Sequence, residues 1–179
     1  NPEFAPKTYR IGYSSMVTPP TVYDYHPDED RLEVRRVLEI PSGYDPSLYV
    51  TERRMIAARD GVEVPVSILR RKDFPLDGSG KLFLYGYGAY AIAIPPSFNT
   101  NHFSLVDRGF AFAIGHIRGG DDLGHGWYQD GKLEKRTNAF NDFVDVARGL
   151  VELGYAKAGN IAAEGRSAGG ELMGAIANQ

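Results

Sequence analysis

The chain has 179 residues, 42% of them hydrophobic, which is enough to bury a core and fits one domain, or one domain with part of another. A formal charge of -3 offers no basic face for nucleic acid, and the absence of cysteine removes disulfides and thiolate metal sites. No apolar run approaches the length of a membrane span and Asn1-Pro2-Glu3-Phe4 has no signal-peptide character, so a soluble, cytoplasmic protein with no membrane contact is expected.

The first forty or so residues differ in kind from the rest. Residues 9–14 alternate in polarity, residues 21–25 are β-branched and aromatic, and residues 31–40 alternate again, with Pro19-Pro20 and Pro27-Asp28 as punctuation. Three short strands joined by tight turns make an antiparallel meander. Its single small apolar face and open edge leave it unable to stand alone, and it fits most of one β-propeller blade. Ile40-Pro41-Ser42-Gly43-Tyr44-Asp45-Pro46 then reads as a hinge. The chain therefore divides into residues 1–43, the propeller strands and hinge, and residues 44–179.

Two strand patterns, 49–59 and 62–70, flank Asp60-Gly61, a hairpin turn signal. Residues 71–81 form a loop, and Leu82-Phe83-Leu84-Tyr85 reads as a fully buried strand. Another buried strand covers 110–114, after Gly109, which can end a short helix. A helix beginning near Thr137-Asn138 carries Phe140, Phe143, Val144, Ala147, Leu150 and Val151 on one face, and Gly154 closes it. The small, apolar run 160–164 suits a buried parallel strand, and Leu172, Met173, Ile176 and Ala177 follow at helical spacing. This order describes the first half of a mostly parallel sheet with helices on its faces.

Between that last strand and helix lies Gly165-Arg166-Ser167-Ala168-Gly169. A G-x-S-x-G sequence joining a strand to a helix matches the nucleophile elbow of the α/β-hydrolase fold, in which a strained turn presents a serine hydroxyl. The plain alternative is a βα turn with an ordinary serine. Glycine at 165 and 169 keeps side chains away from the serine and the helix start. Acyl transfer also needs donors for an oxyanion. The Tyr87 hydroxyl, on the glycine-rich loop Tyr85-Gly86-Tyr87-Gly88-Ala89-Tyr90, and the Ala168 N–H are candidates; the other reading of Tyr87 is a ring packed at a strand end. In Ile117-Arg118-Gly119-Gly120-Asp121-Asp122, Arg118 is read as a structural ion pair in preference to a catalytic group.

His26, His102, His116 and His125 all precede Ser167, whereas this fold delivers its histidine from a later loop. Each is read as a surface or loop residue. The aspartate and histidine of a triad are thus expected outside this chain, and the chain alone is expected to be inactive. Its ends suggest a segment of a longer polypeptide.

Tyr85-Gly86-Tyr87-Gly88, Leu105-Val106-Asp107-Arg108-Gly109-Phe110, Arg118-Gly119-Gly120, Trp127-Tyr128-Gln129-Asp130-Gly131-Lys132, Phe140-Asn141-Asp142-Phe143 and Gly165-Arg166-Ser167-Ala168-Gly169-Gly170 follow one another in an order and spacing that resembles the prolyl oligopeptidase family. Its oligopeptidase B members are the most similar, and residues 13–23 resemble the end of their propeller. The resemblance implies an α/β-hydrolase domain paired with a β-propeller, and cleavage of short peptides through an acyl-enzyme, after lysine or arginine. It implies Ser167 as nucleophile, Tyr87 and Ala168 as the oxyanion hole, and Tyr90 at the substrate pocket, with no metal and no cofactor. Partners would be peptide substrates and the remainder of the catalytic domain and propeller. Departures are Arg166 for the elbow's usual glycine, Glu171 for an apolar residue, and Asp121-Asp122 for glycine and glutamate. Pro95 and Ser97 stand where some relatives carry acidic side chains that attract basic substrates. Another acyl hydrolase of this fold, such as an esterase or acylaminoacyl-releasing enzyme, and a non-catalytic binding module are the alternatives.

Overall fold

The computed structural model describes residues 4–179 and contains two compact units: Asn1–Leu48 with Pro96–Asn99, and Tyr49–Pro95 with Thr100–Gln179. Residues 44–48, which the sequence division assigns to its second segment, group with the first unit.

In the first unit, β1 (Tyr9–Tyr13), β2 (Thr21–His26) and β3 (Arg31–Val37) form an antiparallel sheet in the order β1-β2-β3. A 3-10 turn at Pro27–Glu29, closed by Asp30 at a left-handed φ of 45°, reverses the chain between β2 and β3. Asp24 on the middle strand receives two bonds from Arg10 of β1, at 2.9 and 3.0 Å, and lies 3.4 Å from Arg35 of β3. Arg10 holds the Asp24 carboxyl below the usual range. Ile11, Leu32 and Val34 remain exposed, as expected of a three-stranded meander with one small face.

The second unit holds a five-stranded sheet of β4 (Tyr49–Ala57), β5 (Glu63–Arg71), β6 (Lys81–Gly86), β7 (Phe110–Gly115) and β8 (Ile161–Glu164) in the order β4-β5-β7-β6-β8. Helices α1 (Thr100–Val106), α2 (His125–Gln129), α3 (Arg136–Glu152) and α4 (Ala168–Ile176) belong to the same unit. The β4/β5 and β5/β7 pairs are antiparallel, while β7/β6 and β6/β8 are parallel. The sheet is therefore mixed where the sequence suggested mostly parallel. The tight Asp60-Gly61 turn forces β4 and β5 into a hairpin, whereas each parallel pair is joined through a helix.

Three other expectations are corrected. Leu82 and Leu84 are fully buried, but Phe83 and Tyr85 are only half-buried, so β6 alternates. On β8, Ala162 and Ala163 are exposed, since β6 is its partner on one side and it ends the sheet order. The buried face of α3 contains Ala139, Asp142, Phe143, Asp145, Val146 and Leu150, rotated from the apolar stripe expected. The rotation follows from Asp142 and Asp145, which are polar in sequence but turned inward because each receives an arginine. The core joins Val64, Val66 and Ile68 of β5 to Leu82, Leu84, Phe143, Leu150 and Leu172.

Candidate active site

The parallel pairing of β6 with β8 sets Tyr85 opposite Glu164, so the loop after Gly86 and the turn after Glu164 leave the sheet side by side. Open α/β sheets collect functional groups at these carboxyl ends. Ser167 occupies the turn with φ 55° and ψ -119°, a conformation that L-residues rarely adopt and that places the residue exposed at the tip. Its hydroxyl makes no capping bond to α4. The turn is tight enough that a Cβ on Gly165 would stand 2.2 Å from the Gly169 carbonyl oxygen. A Cβ on Gly169 would lie 2.9 Å from the Gly86 oxygen and 3.7 Å from both the Cα and the ring of Tyr87. The first turn of α4 thus rests on the residues that carry Tyr87. Ala168 is the first residue of α4, so the helix itself has no acceptor for its N–H.

Tyr87 is half-buried, and Gly88 follows at φ 62°, where a Cβ would strike Ile117 at 2.5 Å. The loop is fixed from the other side by the Ala91 N–H, which donates to the Gly119 oxygen at 3.1 Å. Tyr90, at φ 56° and 71% exposed, borders a cleft of about 400 Å³ that Ala168, Tyr128, Lys132, Arg136 and Glu171 also line. Ser167, Ala168, Tyr87 and Tyr90 are therefore gathered at one end of the sheet.

Arg166 reaches outward, with its side chain 81% exposed and paired with Glu164 at 2.6 Å. Arg118 is a buried structural cation. Its guanidinium donates to Asp142 at 2.5 to 3.2 Å, its backbone N–H donates to the same carboxylate at 3.0 Å, and Asp60 lies 2.7 Å away. These carboxylates hold the guanidinium well above its ordinary pKa, led by the bonds to Asp142.

His116 lies in a loop as expected but is buried, 3% exposed, whereas His102 lies within α1 and is half-buried, neither surface nor loop. The Nε2 of His116 lies 2.8 Å from the Ser67 hydroxyl and its Nδ1 lies 2.8 Å from Asp122, a serine-histidine-aspartate chain built into β5 and the loop after β7. Ser67 is itself only 5% exposed, so this chain pins a loop and has no open face for a substrate. Asp122 at the departed position of the Arg-Gly-Gly loop is thereby explained. His102 stacks on Phe112 with centroids 3.7 Å apart, and burial pushes its pKa down. His125 lies beside Gln129, and His26 beside Glu33.

The sequence reading missed Arg136. It leads α3, donates to the Gly88 carbonyl, and donates from Nε and Nη2 to Glu171 Oε2 at 3.1 and 2.9 Å. Glu171, an unexpected carboxylate on the elbow helix, was the visible half of this contact. Its partner, 35 residues earlier, left no local pattern.

Among the described residues no group of three or more His, Cys, Asp or Glu could hold a metal ion, and no helix is long and apolar enough to cross a membrane.

Comparison with known proteins bears on this geometry. The family model described as "Prolyl oligopeptidase family" matches residues 96–179. Dipeptidyl aminopeptidase BI of Pseudoxanthomonas mexicana is 44% identical over 179 residues, covering 99% of this chain and 25% of that protein. The structure of oligopeptidase B from Leishmania major superposes with a TM-score of 0.89 at 40% identity, over 98% of this chain and 24% of that one. Oligopeptidase B from Trypanosoma brucei, solved with covalently bound antipain, gives a TM-score of 0.90 at 37% identity, over 98% and 25%. The chain thus spans about a quarter of the length of the proteins it matches. By sequence over residues 96–179, and by fold over nearly its whole length, this chain matches the prolyl oligopeptidase family.

Proposed function

We propose that this chain is part of a serine peptidase that cleaves short peptides through an acyl-enzyme at Ser167. The observation that carries the reading is the backbone of Ser167, at φ 55° between β8 and α4, next to Ala168 and two residues before Gly169, which packs against Tyr87. In the proposed reaction the Ser167 Oγ attacks the scissile carbonyl carbon while a base takes its proton. The carbonyl oxygen becomes an oxyanion, which accepts bonds from the Tyr87 hydroxyl and the Ala168 N–H. The C–N bond then breaks, the amine leaves with the transferred proton, and water releases the acid from Ser167.

The base and its aspartate belong to sequence outside this chain, since His26, His102, His116 and His125 have other partners here. Residues 1–43 are read as closing strands and hinge of a β-propeller, and residues 44–179 as the first part of the catalytic domain. Tyr90 borders the substrate pocket. By the resemblance of the sequence motifs to oligopeptidase B, the proposal extends to cleavage after lysine or arginine, in the cytoplasm and without metal or cofactor.

The test is covalent labelling of the intact protein with a fluorophosphonate, followed by peptide mapping. One probe on Ser167, lost in Ser167→Ala together with peptidase activity by at least about 10³-fold, is the expected result. Labelling elsewhere, or full activity in Ser167→Ala, would sink the proposal. A panel of Arg, Lys and Pro peptides beside simple esters then separates a basic-residue peptidase from a prolyl peptidase and from an esterase.

A further inference from the structure

Arg136 joins the two halves of the proposed catalytic constellation. From the first position of α3 its guanidinium donates to the carbonyl of Gly88, the residue after Tyr87, and to Glu171, one turn beyond Ser167 on α4. The guanidinium sits 5.0 Å from the centre of the Phe140 ring, and the Arg136 side chain is 16% exposed against 57% for Glu171. A planar fork clamped on a ring has few alternative positions, so both acceptors are held relative to one rigid group.

We propose that Arg136 is a positioning residue for the peptidase reaction, setting the Tyr87 loop against the elbow helix so that the Tyr87 hydroxyl and the Ala168 N–H converge on one oxyanion. The inference rests on the acyl-enzyme reading of Ser167. Neither acceptor is a reacting group. The Gly88 carbonyl orients the peptide that carries Tyr87, and Glu171 orients the helix whose first residue is Ala168. Gly88 has φ 62° and no side chain, so the strand alone does not dictate where this carbonyl points. The Glu171 end of the pair is exposed, so the ion pair contributes little to stability, and loss of the clamp acts on geometry before it acts on folding.

The experiment compares the intact protein with Arg136→Met and Arg136→Lys, at a temperature where circular dichroism shows all three folded. The limiting rate of fluorophosphonate labelling, and kcat and KM for a peptide substrate, are measured. In Arg136→Met the limiting labelling rate and kcat are expected to fall together by about 10- to 100-fold, with KM changed less than about threefold. Arg136→Lys, which keeps a charge but not the fork, is expected to recover part of the loss. Unchanged labelling and kcat in a folded Arg136→Met variant would overturn the coupling while leaving the serine reading intact. A folded parent that takes no label would overturn the serine reading and this inference with it. Should Arg136→Met not fold, Glu171→Leu carries the test: a drop in kcat at constant KM supports the clamp, and an unchanged kcat overturns it.

Discussion

Gly165 and Gly169 face each other across the elbow so closely that a Cβ on the first would lie 2.2 Å from the carbonyl oxygen of the second. The obstacle is backbone, which cannot rotate aside as a side chain could. Gly165→Ala is therefore expected to unseat the start of α4 and lower stability by about 1 to 3 kcal/mol, read as a shift in the urea midpoint of the intact protein. Labelling of Ser167 should fall with it. A Gly165→Ala variant with the parental midpoint would mean that the turn is looser than described.

Tyr87→Phe removes one proposed oxyanion donor and keeps the ring that lies beside Gly169. The expected result is a fall in kcat of about 10- to 1000-fold, with KM and melting temperature close to the parent. A loss of stability without loss of kcat would favour the other reading of Tyr87, a ring packed at a strand end.

Asp142 is fully buried and receives three donors from Arg118, itself 5% exposed. Asp142→Ala leaves that guanidinium with only the partly exposed Asp60, and a loss of about 3 to 5 kcal/mol is expected in chemical denaturation. Asp60→Asn should cost less, because its side chain is 40% exposed and the cation keeps Asp142. Equal losses in the two variants would contradict this ranking.

Asp145 accepts from both the side chain and the backbone N–H of Arg59, and those bonds hold its carboxyl below the usual range. A folded-state pKa lower than the unfolded value of about 3.9 gives stability that is present above the unfolded pKa and lost as the pH falls through the folded one. The difference in melting temperature between the parent and Asp145→Asn should therefore be constant above about pH 5 and shrink as the pH drops below about 4. A gap that widened in acid would contradict the assignment.

Much of the fold was legible because local rules and global structure agree. Asp60-Gly61 makes a hairpin wherever two strand patterns flank it, Gly154 stops α3, and the elbow lies between β8 and α4 as its motif requires. What escaped was decided by partners distant in sequence. The inward turn of Asp142 and Asp145 depends on Arg118 and Arg59, so the apolar pattern alone placed Phe143 and Leu150 inside but missed the rotation of the buried face of α3. The burial of His116 escaped because nothing beside it in sequence announces Ser67, 49 residues away. The half-buried pattern of β6 and the exposure of β8 depend on what covers the sheet, which composition does not record.

The conformation of Ser167 has a consequence for how the hydroxyl is best deleted. At φ 55° and ψ -119°, glycine is at ease and any other residue is strained. Alanine would keep the strain and, on the proposed reading of Ser167, serve as a faithful inactive copy. Glycine would release it, stabilising the fold by about 1 kcal/mol even as the chemistry disappears. On the proposed acyl-enzyme reading, the position is one where folding and reactivity favour different amino acids.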